Sequence, residues 1–105
     1  MAYAEQGMSA PPEVVFNTAI DPDRVGAWLP EPLLSAIGNG DTARLRARWD
    51  APDTDWSAEL RVEPVDAGGA RLRLDLAGGG QEAGRLAEEA LTNLVRAVAD
   101  NLQAG

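Results

Sequence analysis

A chain of 105 residues with 45% hydrophobic composition fits one globular domain, and such a domain buries roughly two thirds of its unfolded surface. Its 17 acidic residues outnumber 9 basic ones, all arginine, and the resulting charge of -8 repels phosphate backbones and anionic membranes. With no Cys and no His, the sequence excludes disulfides, thiolate or imidazole metal sites, Ser-His-Asp triads and Cys-His dyads together.

The opening Met1 to Ser9 lacks both the basic start and the apolar core of a signal segment, and nothing later approaches the roughly 20 apolar residues of a membrane span. The cytoplasm is the expected compartment. Ala2 to Ser9 alternates weakly and reads as a short strand with Met8 pointing inward. Pro11 and Pro12 suit the first turn of a helix, where a missing N–H costs nothing, and Val14, Val15, Phe16 and Ile20 supply its apolar side. Asp21-Pro22 predicts a second helix start. That helix should reach about Leu29, since Pro30 disfavours a helical predecessor. Leu33 to Ile37 fits a short strand or a turn of helix, and a strand ending at Gly38-Asn39-Gly40 is the preferred reading.

Three cleanly alternating segments follow. In Thr42 to Trp49 the expected inner set is Ala43, Leu45, Ala47 and Trp49, against Arg44, Arg46 and Arg48. In Trp56 to Val65 it is Trp56, Ala58, Leu60 and Val62, and in Ala70 to Ala77 it is Leu72, Leu74 and Leu76. These predict an antiparallel sheet with one wet face. After Gly78-Gly79-Gly80 a helix is expected from about Gln81 to Gln103, with Ala87, Ala90, Leu91, Leu94, Val95, Val98 and Leu102 on one arc. At 1.5 Å per residue it is roughly 35 Å long, enough to lie across the sheet. The predicted class is therefore α+β: one domain spanning 1–105, a reduced antiparallel sheet, two short N-terminal helices and a long C-terminal helix on the sheet.

The run Ala10-Pro11-Pro12-Glu13-Val14-Val15-Phe16, then Asp21-Pro22-Asp23-Arg24 and Trp28-Leu29-Pro30, resembles the opening of the START-like superfamily, also called SRPBCC or Bet v 1-like. The motif match covers roughly residues 8 to 30, and the order of elements agrees over the rest. The resemblance implies a helix-grip fold whose curved sheet holds the long helix, with an apolar cavity between them for lipids, polyketides, hormones or other apolar ligands. Some members, such as Hsp90 ATPase activators, work instead through protein partners, and others are cyclases. The family usually places six strands between the helix pair and the long helix, whereas Glu31 to Gly80 has room for three or four. Two outcomes follow: the apolar faces pack as a solid core, or a second copy covers the open sheet edge.

On this reading Phe16, Trp28, Trp49, Trp56, Leu60, Leu72, Leu74, Leu94 and Val98 either line a ligand pocket or form the core that a domain this small needs. Trp28, beside Pro30 to Pro32, is placed at the pocket mouth. The expected partner is a small apolar molecule, with a homodimer or protein partner as the alternative, and no cofactor, metal, nucleic acid or membrane. Catalysis of the cyclase kind would need a polar group aimed into the cavity, and every inward strand position is apolar.

Other motifs favour plain roles. Arg44, Arg46 and Arg48 read as a solvated face paired with Glu59, Glu63 and Asp75. Asp50, Asp53 and Asp55 lack the Gly and distal Glu of a calcium loop. Gly78 to Gly80 lacks the Lys-Ser or Lys-Thr of a phosphate cradle and reads as a hinge. Glu88 and Glu89 are adjacent, so they point away from each other and cannot serve one site as an acid/base pair.

Overall fold

The computed structural model describes residues 2–30, 33, 37–51, 55–66, 68–78 and 80–104, without the side chains at 37, 103 and 104. The elements are β1 (Ala2–Met8), α1 (Pro12–Ile20), β2 (Ile37–Asp41), β3 (Arg46–Asp50), β4 (Ser57–Pro64), β5 (Ala70–Ala77) and α2 (Ala83–Ala104), with 3-10 turns at Val25–Ala27 and Gly80–Glu82. The five strands form one antiparallel sheet in the order β1-β5-β4-β3-β2. This is the α+β arrangement expected from the alternation, in the helix-grip layout that the resemblance implies. Four of the strands lie between α1 and α2.

Register follows from the apolar pattern, because a slip of one residue would turn every leucine to water. Ala58, Leu60 and Val62 stand opposite Leu76, Leu74 and Leu72, and all six are buried. β1 adds Ala4 opposite Leu74; Ala4 is its most buried residue, while Met8 is partly buried against the core. The β4–β5 turn closes where Val65 N–H donates to the Gly69 carbonyl at 3.1 Å, with Gly68 in the left-handed region at φ 84°.

Alternation misleads at the β2–β3 hairpin. The strand expected from Thr42 begins only at Arg46, Ala43 is exposed, and Arg44 lies in the turn. Asp41 is the cause: its backbone oxygen and its Oδ1 both accept from Arg44 N–H, at 3.2 and 3.3 Å, an Asx-type turn that competes with strand pairing. Leu45 leaves this turn with φ 54°, and its carbonyl accepts from Val62 N–H at 3.0 Å. Gly38, Asn39 and Gly40, read as the end of a strand, lie inside β2; residues 34–36 of that expected strand lie outside the described residues.

The expected second helix is instead a turn followed by the Val25–Ala27 3-10 turn. Asp21 accepts from Asp23 N–H through Oδ1 at 2.9 Å, as a cap would. Gly26 and Pro30 leave no run long enough for a regular helix. Trp28 and Leu29 are nonetheless buried, while Val25 is only partly so.

The core joins Val15, Phe16 and Ala19 of α1, the inner strand residues, and Ala83, Ala87, Ala90, Leu91, Leu94 and Val98 of α2. The long helix does not span the whole sheet: it packs on β1 and β5, while α1 packs against α2 and β4. Trp28 sits against Trp49 of β3, and Phe16 and Ile20 reach β2, so the α1 side fills the space over the far strands. Leu102 is 49% exposed, against the expectation of an inward position. In the last turn Asn101 takes the inward place, its Nδ2 donating to the buried Thr18 Oγ1 at 3.1 Å.

On the wet face of the sheet, arginines pair mainly along their own strands: Arg48 with Asp50 at 3.0 Å, Arg61 with Glu59 at 3.0 Å and Arg73 with Asp75 at 3.2 Å. Arg48 stands opposite Glu59 and Arg71 opposite Glu63. Arg73 also reaches Glu5 across the strands at 3.8 Å and lies over the Tyr3 ring. This face and its β2–β3 turn balance Arg44, Arg46, Arg48, Arg61, Arg71 and Arg73 against Glu5, Asp41, Asp50, Glu59, Glu63 and Asp75. The net charge of -8 therefore belongs to the helical side and the connections.

Candidate functional site

Trp28 decides the shape of the helical side. Its indole turns inward, Nε1 donating to the Ala19 carbonyl at 3.1 Å, and this anchors the 26–30 segment against α1. Gly26 has no side chain to fill the space outside this anchor, and a Cβ placed there would meet no atom within 4 Å. The result is a cleft of about 460 Å³ between Gly26–Pro30 and α2. Leu86 and Ala90 lie along it, with Arg85, Glu89 and Asn93 at successive steps of four residues on the same helix. Arg85 pairs with Glu89 at 3.0 Å and with Glu82 at 3.9 Å.

A second cleft of about 240 Å³ continues along α2 between Asp23, Arg24 and Ala27 on one wall and Asn93, Arg96, Ala97 and Asp100 on the other. It meets the first at Ala27 and Asn93. A third, of about 230 Å³, opens at the sheet edge among Ile20, Gly38, Asn39, Gly40, Ala47 and Trp49. Two shallow clefts of about 330 and 340 Å³ lie on the wet face, along Arg46 and Arg48 and along Arg61 and Arg73.

Among the residues expected to line a pocket, Phe16, Leu60, Leu72, Leu74, Leu94 and Val98 are fully buried together in the core, and none lines any of these five clefts. Trp56 is partly buried against that core. Trp28 forms part of the wall of the largest cleft, and Trp49 lines the edge cleft. The residues that the alternation did not single out are Gly26, Leu86 and Asn93. Their signal was the Arg85, Glu89, Asn93 spacing on α2 combined with a glycine in Val25-Gly26-Ala27-Trp28.

Among the described residues no group of three or more acidic side chains is placed to hold a metal ion; Asp53 of the aspartate loop lies outside them. The hydrogen bond with Asp75 holds the Arg73 guanidinium above its ordinary pKa, and the hydrogen bond with Asp50 does the same for Arg48, so both stay charged. Gly78 sits at φ 87° with its Cβ position 2.8 Å from the Asp55 carbonyl oxygen, which fits a close backbone crossing; Gly79 lies outside the described residues. No described helix is long and apolar enough to cross a membrane.

Neither a protein-family model nor a curated protein sequence matches the chain. Solved structures do. A protein from Thermus thermophilus is 18% identical with a TM-score of 0.59, covering 98% of this chain and 97% of its own. A Thermobifida fusca protein is 15% identical with a TM-score of 0.63, covering 95% and 91%. The di-domain ARO/CYC protein BexL, from the BE-7585A biosynthetic pathway, is 18% identical with a TM-score of 0.56; the match covers 98% of this chain and 47% of that one. These likenesses, with the sheet order and the long terminal helix, establish that the chain has the START-like helix-grip fold in a five-stranded form.

Proposed function

We propose that the chain is a non-catalytic binding domain that takes a small apolar molecule in the cleft between Gly26–Pro30 and α2. The observation that carries this reading is the cleft itself. Its volume of about 460 Å³ lies in the range of small-molecule pockets, and it joins an apolar floor to a few polar groups. A neighbour of the same fold belongs to a biosynthetic pathway, which supports a small-molecule ligand. The core residues Leu60, Leu72, Leu74, Leu94 and Val98 act on this reading by holding α2 in place.

Gly26→Phe tests it. Gly26 lines the cleft, its backbone is outside the left-handed region and a Cβ there meets no atom within 4 Å, so the variant should keep the fold while its ring narrows the cleft. The neutral dye N-phenyl-1-naphthylamine should brighten with the wild-type chain and stay dark with the variant. Equal fluorescence from both would place binding elsewhere.

The open edge of the sheet favours a second reading, a homodimer or protein-interaction module. Among the described residues β2 pairs with β3 alone, and its Gly38 and Gly40 line the edge cleft beside Trp49. A dimer in sedimentation at micromolar concentration, lost when Gly40→Pro removes an N–H that faces out from β2, would support it over the first.

A further inference from the structure

We infer that the cleft distinguishes its ligands by head-group charge, accepting a cationic or neutral amphiphile and disfavouring a carboxylate. This rests on the cleft reading above and adds a ligand class to it. The two clefts along α2 adjoin at Ala27 and Asn93, so together they form a groove from Arg85 to Asp100, about 22 Å at 1.5 Å per residue. An elongated ligand matches that shape better than a compact one.

The charges around the groove are unequal. Arg85 stands between Glu82 and Glu89, and Arg24 is paired with Asp21 at 3.7 Å. The lining itself balances Arg24, Arg85 and Arg96 against Asp23, Glu89 and Asp100. Asp21 and Glu82, each paired with a lining arginine, stand beside it and make the surplus around the groove negative. The wet face of the sheet is balanced, so it adds no positive potential to offset the surplus at the groove.

The test compares octyltrimethylammonium with octanoate, which share an eight-carbon tail, as competitors for N-phenyl-1-naphthylamine. At low ionic strength the cation should displace the dye at a concentration about threefold to tenfold lower, and the ratio should shrink in 0.5 M salt. Glu82→Gln combined with Glu89→Gln frees Arg85 and should bring the ratio towards one. Octanoate competing as well as the cation with the wild-type chain, or a ratio unchanged in the double variant, overturns the charge preference. Gly26→Phe separates the two claims. If it abolishes dye binding while octanoate competes best, the cleft stands and only the preference falls; if it leaves binding intact, both fall.

Discussion

The indole of Trp28 meets that of Trp49 edge to face, with ring centroids 5.2 Å apart and planes at 81°. This contact ties the segment after α1 to β3, while the Trp28 N–H ties it to α1 through the Ala19 carbonyl. One side chain therefore fixes one wall of the cleft relative to both layers.

Trp28→Phe keeps an aromatic ring but deletes the buried donor. It should cost about 1–3 kcal/mol, since the Ala19 carbonyl loses its partner in a site closed to water. Urea denaturation checks this: the midpoint should fall with the slope unchanged. An unaltered midpoint would mean that the hydrogen bond does not anchor the segment.

Leu94 is fully buried where α2 lies on β1 and β5. Leu94→Ala should cost about 2–5 kcal/mol through lost burial and the cavity left behind. The exposed Leu102 provides the control, and Leu102→Ala should change stability by less than about 0.5 kcal/mol. Equal losses in a thermal melt would contradict the packing of the helix.

Two glycines should respond in opposite directions. A Cβ on Gly38 would sit 2.8 Å from Trp49 Nε1 and 2.9 Å from its Cδ1, so Gly38→Ala should cost about 1–3 kcal/mol as the indole is pushed aside. Gly26→Ala meets nothing and restricts the unfolded chain, so it should be neutral or stabilising by up to about 1 kcal/mol. Chemical denaturation of the pair, alongside Trp fluorescence, reads both the energies and the displacement of Trp49.

Alternation along β4 and β5 was legible because both faces of those strands have fixed partners: leucines meet leucines inside, and charges meet charges outside. The same rule failed at Thr42 to Leu45. There Asp41, through its carboxylate and its backbone oxygen, accepts from the Arg44 N–H and turns the chain, so that pairing resumes only at Arg46. Gly38 and Gly40 looked like the end of a strand for a related reason. Gly38 yields space to the Trp49 indole, and Gly40 lies within ordinary contact range of Phe16 and Ile20, which are distant in sequence.

By itself, the sequence determined which residues avoid water, where the long helix lies, and that the chain lacks the histidine and cysteine of many active sites. Hydrophobic periodicity encodes those features locally, residue by residue. Only the tertiary structure decided that α2 covers β1 and β5 rather than the whole sheet, and that Phe16, Leu60, Leu72, Leu74, Leu94 and Val98 close into a core while Trp28 and Trp49 reach clefts. Only it brought Gly26 opposite Leu86 and Asn93. The reason is geometric: a cleft is the space that two elements fail to fill, and its walls come from segments about sixty residues apart whose separation is set by a third group, the Trp28 anchor.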